Sequence, residues 1–290
     1  MLKCLFGNYL VDKKTMTKEQ LDALLPVSKE LSAEVEVIAV INKAISPADV
    51  RMLLGRMDND SMHFGEMAIE AGYLSEEKLD EIQTYQQNSF LKFIQAALNE
   101  GIITLEQINP LLDDFQKVSG FTDAQLSSLV HDDLEECVNI FVPIKSPRLK
   151  ELTLTLIQTL RRLIDPDLYL EKAYTAHSLQ LDKYACQAII GDLHIKVYIS
   201  APGDGLLAIA NYFTGDKYDT VTTDALDNVG EFINCVNGLF ATNLSYDDIS
   251  IDMNSPEYGE EGPFVSNEKL YIIPVCANGY IFRAVFEVYE

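Results

Sequence analysis

The stretch LDNVGEFINCVNGLFATNLS, residues Leu226 to Ser245, decides how the second half of this 290-residue chain is read. Its apolar residues fall at Leu226, Val229, Ile233, Val236 and Phe240. Steps of three and four mark one buried face of an α-helix. Advancing about 100° per residue gathers Asp227, Glu231, Asn234 and Gly238 on the other side, one turn above another. A glycine inside a helix costs about 1 kcal/mol relative to alanine. On an exposed face Gly238 therefore calls for a reason, and close approach by another backbone supplies one. The helix offers a carboxylate, a carboxamide and a flat spot to something that docks there. Asn237 lies toward the edge of the apolar stripe and reads as a packing or local hydrogen-bonding residue.

Working outward, Thr223 or Asp224 caps this helix. Upstream, Ser146 can cap another helix with Pro147 at its first position. Leu149, Leu152, Leu156, Leu160 and Leu163 or Ile164 repeat at helical spacing, although Leu152 to Leu156 also alternates like a strand. Asp165-Pro166-Asp167 ends that element, and Leu168 to Asp182 includes one strand. Tyr184 to Ile190, the turn Gly191-Asp192 and Leu193 to Ser200 read as a hairpin. After the turn Pro202-Gly203-Asp204-Gly205, a short helix is expected over Leu206 to Phe213. Ile249 to Met253 is strand-like and leads into Ser255-Pro256. Residues 257–263 read as an acidic loop. Leu270 to Val275, the turn Ala277-Asn278-Gly279 and Tyr280 to Tyr289 close with a second hairpin.

The run Gly230-Glu231-Phe232-Ile233-Asn234-Cys235-Val236-Asn237-Gly238 resembles the signature helix of the CheC/CheX/FliY chemotaxis phosphatases. Glu231 and Asn234 fit that family's ExxN pair, and Pro256 follows about where the family places a proline. Two fixed letters are a weak motif, which Glu136 and Asn139 also satisfy without the context. The order of elements from about Ser146 to Glu290 is similar to a CheX domain over nearly its full length. CheC-type members carry two ExxN helices. Here the earlier helix has Glu151 with Leu154 at the matching step, so one motif per domain resembles CheX. The resemblance implies an α+β domain with a mainly antiparallel sheet and a long motif helix. It also implies a homodimer.

Val142-Pro143 to Ser146-Pro147 reads as a boundary, since each proline breaks regular structure and extends the residue before it. The expected domains are 1–143, helical and repetitive, and 144–290, CheX-like. In the first, Gly72-Tyr73-Leu74-Ser75 is echoed at Gly101-Ile102-Ile103-Thr104, 29 residues on. Fainter echoes run from Met16 to Leu21 and from Phe121 to Leu126. Each sets Ser or Thr as an N-cap before a helix, which suits helical hairpins stacked in pairs. His63 to Gln86 is similar to the N-terminal domain of type II secretion and pilus ATPases, some of which bind cyclic di-GMP. His63 stands where the nucleotide-binding versions carry Arg, and the second copy near Phe93 to Gln116 lacks the Arg-x-Gly start. Few arginines make a poor host for two phosphates. Cyclic di-GMP is therefore not expected as a ligand, and protein docking or an architectural role is.

Composition narrows the partners. Net charge is −23, which argues against nucleic acid, because phosphate contacts need clustered Lys and Arg. No run of 18 apolar residues predicts a membrane span. Five widely spaced cysteines without a CxxC read as reduced thiols in a cytoplasmic protein. The four histidines, His63, His131, His177 and His194, share no ligand spacing, and Glu260-Glu261 is a loop carboxylate pair. No cofactor is expected on this chain.

The family resemblance implies a CheY-like response regulator, phosphorylated on aspartate, as partner. Its own Mg²⁺ neutralises the phosphoryl oxygens, and the missing part is a placed water. Asn234 would position that water by its carboxamide, much as a glutamine does in GTPases. Glu231 would pair with the regulator's lysine, and Gly238 would admit its loop. Asp227, from helix geometry alone, would add steering. A second function stays open: a non-catalytic adaptor that binds a regulator and docks it elsewhere through residues 1–143.

Overall fold

The computed structural model describes residues 1–57, 63–260 and 262–289. Glu261, half of the carboxylate pair noted above, lies outside the described residues. The chain divides into two compact units, Met1–Asp133 and Leu134–Glu290.

The first unit is helical: α1 (Leu2–Asp12), α2 (Lys18–Lys29), α3 (Val35–Ile41), α4 (Pro47–Met57), α5 (Phe64–Glu70), α6 (Glu76–Thr84), α7 (Ser89–Asn99), α8 (Leu105–Ser119) and α9 (Asp123–His131). The repeat is more regular than the sequence reading held. Lys14, Lys43, Gly72 and Gly101 recur every 29 residues, and all four take positive φ. Behind each, two consecutive backbone N–H groups donate to one carbonyl of the preceding helix: Leu10, Ala39, Ala68 and Ala97. That is a helix end closed by a left-handed residue. An N-cap follows three residues later. Thr17, Ser46 and Ser75 accept from the backbone N–H of Gln20, Asp49 and Lys78, and Gln107 reaches back to the Thr104 N–H. The turn at Asn42 to Ser46 lacks the glycine that marks Gly72 and Gly101, since Lys43 holds the left-handed position as Lys14 does. Phe6, Phe90 and Phe115 meet edge to face inside the unit, with ring centroids 5.5–5.7 Å apart.

The second unit begins with α10 (Leu134–Phe141) and α11 (Pro147–Leu163), the latter capped by Ser146. The ambiguity of Leu152 to Leu156 resolves as helix. Thr153, Thr155 and Thr159 donate to the carbonyls of Leu149, Glu151 and Thr155, so their buried hydroxyls are satisfied within the helix. Then come β1 (Tyr169–Leu170), β2 (Tyr174–Leu181), β3 (Lys183–Gly191), β4 (Ile195–Ala201), α12 (Leu207–Phe213), α13 (Thr223–Ser245), β5 (Ile251–Met253), β6 (Glu257–Gly259), β7 (Gly262–Ala277) and β8 (Tyr280–Val288). The fold is α+β: a helical first part, then an α/β part whose described strands form one antiparallel sheet in the order β1-β7-β8-β4-β3-β5. β2 pairs with β7 and β6 with β3.

Two details differ from the sequence reading. Where an acidic loop was expected there are strands: Glu257–Gly259 pairs with β3, and Gly262 already belongs to β7. Charge hid these strands, since edge strands tolerate acidic side chains that central ones do not. The cap of α13 is Thr222, whose hydroxyl accepts from the Ala225 N–H, one residue before the expected pair.

Ala185, Gln187 and Ile189 of β3 share one face of the pleat, toward α13, and all three are buried. Cys186, on the other face, is buried as well. There β2 and β7 contribute Leu181, Leu270 and Ile272 to a cluster with Cys186, Tyr198 and Val285. Phe264 lies against Tyr198 at a centroid distance of 5.2 Å. Burial on both faces explains why β3 reads as a nearly continuous apolar run.

Candidate functional site

α13 carries the site. Leu226, Val229, Phe232, Ile233, Val236 and Phe240 are buried, while Asp227 and Glu231 are exposed. Asn234 and Gly238, one and two turns after Glu231, are half-buried. Residues 223–245 contain no Lys or Arg, and Asp224, Asp227 and Glu231 make the helix surface acidic. Asn228 fastens the start of α13 to the preceding loop by donating to Thr214, Asp216 and Tyr218. Hydrogen bonds from Thr214 and then Asn228 hold the Asp216 carboxyl below its ordinary range.

The structure brings together all four residues read from the sequence on one helix face and adds three more beneath it. The Asn234 Oδ1 accepts from the Gln187 Nε2 at 2.8 Å. The same Nε2 donates to the backbone carbonyl of Asn254 at 2.9 Å. The Gln187 Oε1 accepts from the Asn237 Nδ2 at 2.8 Å. Gln187 and Asn237 are almost wholly buried, at 1 % and 0 % exposure. On its outer end, the Asn234 Nδ2 donates to the Glu231 Oε2 at a long 3.5 Å. Asn237 is thus a hydrogen-bonding residue, but its partner sits on β3 rather than nearby in sequence.

Two glycines of α13 differ sharply. A Cβ on Gly230 would stand 2.9 Å from the Cβ of Pro256, whereas one on Gly238 would meet nothing within 4 Å. Pro256 belongs to the short link between β5 and β6, where the chain leaves its pairing with β3. In that link the Asn254 N–H donates to the Ala188 carbonyl, and the Asn254 carbonyl takes the Gln187 side chain instead of a backbone donor. The open Gly238 leaves room over the helix for another chain.

Gln187 and Asn254 carry no mark in the sequence reading, and Asn237 is read there only as a packing or local hydrogen-bonding residue. Gln187 was detectable: within the run Tyr184 to Ile190 it is the polar residue on the inward phase of the strand, and a buried amide must find partners. Across β3, the Cys186 thiol is pushed up to about 11 by burial, which makes it a packing group rather than a nucleophile. Among the described residues no three His, Cys, Asp or Glu side chains gather as a metal site, and no helix is long and apolar enough to cross a membrane.

Residues 184–276, from β3 into β7 and including all of α13, match the family model described as chemotaxis phosphatase CheX. No curated protein sequence matches the chain. Similar solved structures include a chemotaxis protein CheX from Desulfovibrio desulfuricans, 17 % identical, covering 50 % of this chain and 100 % of that one with a TM-score of 0.43. A CheC-like superfamily protein from Shewanella sp. PV-4 is 18 % identical, covering 51 % and 100 % with a TM-score of 0.44. A CheX–CheY–BeF3–Mg²⁺ complex from Borrelia burgdorferi is 14 % identical, covering 49 % and 98 % with a TM-score of 0.39. These matches do not confirm the likeness of the N-terminal half to secretion and pilus ATPases.

Proposed function

We propose that the second unit hydrolyses the aspartyl phosphate of a CheY-type response regulator. The observation that carries this reading is the pair Glu231 and Asn234, one turn apart on the outward side of α13, inside the segment that matches the CheX phosphatase family. An acyl phosphate needs little covalent help. Water attacks phosphorus, the bond to the aspartate oxygen breaks, and free carboxylate and inorganic phosphate leave. The enzyme's part is to hold the water on the line opposite that oxygen, which is positioning plus electrostatics. The Asn234 carboxamide supplies the hold. Glu231 pairs with a lysine of the regulator, Asp227 steers the approach, and Gly238 admits the partner's backbone. Mg²⁺ stays with the regulator.

A second reading, a regulator-binding adaptor without turnover, draws on the separate helical unit of residues 1–133, which offers a surface of its own. One experiment divides the two. Phosphate release from a phosphorylated CheY-type regulator is followed with wild-type protein, Asn234→Ala and Glu231→Lys at matched Mg²⁺. Turnover lost in Asn234→Ala with binding retained, and both lost in Glu231→Lys, is the expected result. Wild-type protein that binds the phosphorylated regulator without speeding release selects the adaptor.

A further inference from the structure

We propose that Gln187 is a positioning residue, which fixes the end of the Asn234 carboxamide that faces the partner. This rests on the phosphatase reading and adds a residue to it that neither the ExxN pair nor the sequence pattern contains.

Donors and acceptors around Gln187 fix which way each amide faces. A glutamine amide has two N–H donors on one end and an acceptor on the other. The Asn254 backbone carbonyl can only accept, so it pulls the Gln187 Nε2 toward itself. With Nε2 placed, its second hydrogen reaches the Asn234 Oδ1, and Oε1 is left to receive the Asn237 Nδ2. One backbone carbonyl therefore sets the polarity of three side-chain amides in a row. Turning Asn234 over would set its N–H against the N–H of Gln187. Turning both would set the Gln187 Oε1 against the Asn254 carbonyl, acceptor against acceptor, and cost that carbonyl its side-chain donor. The Asn234 Oδ1 is thus held inward and its Nδ2 outward, beside Glu231.

That orientation has a chemical consequence. The group offered to the partner is an N–H. It donates to one lone pair of a water oxygen and leaves the other free to attack phosphorus. The glutamine touches neither water nor phosphate, so its effect belongs to kcat rather than to docking. Pre-set geometry is what such a site gains, and a misplacement of about 1 Å costs on the order of 100-fold.

The test is steady-state dephosphorylation of a phosphorylated CheY-type regulator by the full chain, wild type against Gln187→Met, which keeps the length and removes the amide. The expected result is a kcat lower by about 10- to 100-fold with KM within about twofold. An active wild type matched by a folded Gln187→Met, or a change in KM alone, overturns the role and leaves the phosphatase standing. A wild type that does not speed release overturns the phosphatase and this role with it. Should Gln187→Met fail to fold, NMR on the wild-type protein decides. Fixed Asn234 Nδ2 hydrogens close to the Glu231 side chain are expected. Hydrogens that average between two orientations, or that lie against Gln187, overturn the proposal.

Discussion

Gly230 and Pro256 touch so closely that a single methyl group on the glycine would stand 2.9 Å from the proline Cβ. The backbone of α13 rests directly on the link between β5 and β6, the same link whose Asn254 carbonyl anchors Gln187. Gly230→Ala must push that link away. Overpacking costs about 1–3 kcal/mol, of which alanine's better helix propensity returns up to about 1 kcal/mol. A lower unfolding midpoint is expected. Pro256→Ala cannot relieve it, because alanine keeps the Cβ; Pro256→Gly added to Gly230→Ala should. Equal midpoints for wild type and Gly230→Ala would show that the link yields freely.

Gly238 makes the opposite case. Nothing lies within 4 Å of a Cβ placed there, so Gly238→Ala should stabilise the helix by up to about 1 kcal/mol. Gly238→Tyr should leave the melting curve nearly intact. If a regulator docks over this turn, the tyrosine should raise KM for the phosphorylated regulator by about tenfold or more, on the scale of a hot-spot contact. Unchanged KM in Gly238→Tyr would move the docking surface off this turn.

The two halves of the chain were legible to different depths. Period and caps gave the helices well: Ser146 before Pro147, and the apolar steps of α13, are local signals that tertiary structure did not override. The face holding Asp227, Glu231, Asn234 and Gly238 followed from one angle per residue. What supports that face did not, because Gln187 and Asn254 come from strands and links 47 and 20 residues distant from Asn234 in sequence. Register between β3 and β5 brings them there, and no local pattern carries register. The edge strand β6 was lost for another reason: Glu257-Tyr258-Gly259 has the polar and glycine content of a turn, and pairing with β3 alone makes it a strand.

The four turns of the first unit give a prediction that depends on backbone only. Gly72 and Gly101 sit at φ of 77° and 66°, and Lys14 and Lys43 at 58° and 56°. A residue with a Cβ in this region is disfavoured by roughly 1–2 kcal/mol. Gly101→Ala should therefore destabilise by about 1 kcal/mol, though its Cβ meets nothing within 4 Å. Lys43→Gly should do the reverse and gain up to about 1 kcal/mol, less the weak surface pair of Lys43 with Asp113. Urea midpoints measure both, and movement of the two variants in the same direction would contradict the shared geometry.

Glu36, in the first turn of α3, supplies a pH dependence. Burial, then a hydrogen bond with Glu34, pushes its carboxyl up to about 7. Below the ordinary glutamate range the folded and unfolded chains both hold the proton, and the site costs nothing. Between that range and pH 7 the folded chain keeps a proton that the unfolded chain has released, so raising the pH favours unfolding. Above about pH 7 the cost is complete. Stability contributed here is thus fully present below the ordinary glutamate range and lost as the pH rises to about 7. Glu36→Gln keeps the shape of the protonated form without the titration. It should raise the melting temperature at pH 8, change it little at pH 5, and flatten the difference between the two. Melts of wild type and Glu36→Gln that run parallel across this range would place the titrating group elsewhere.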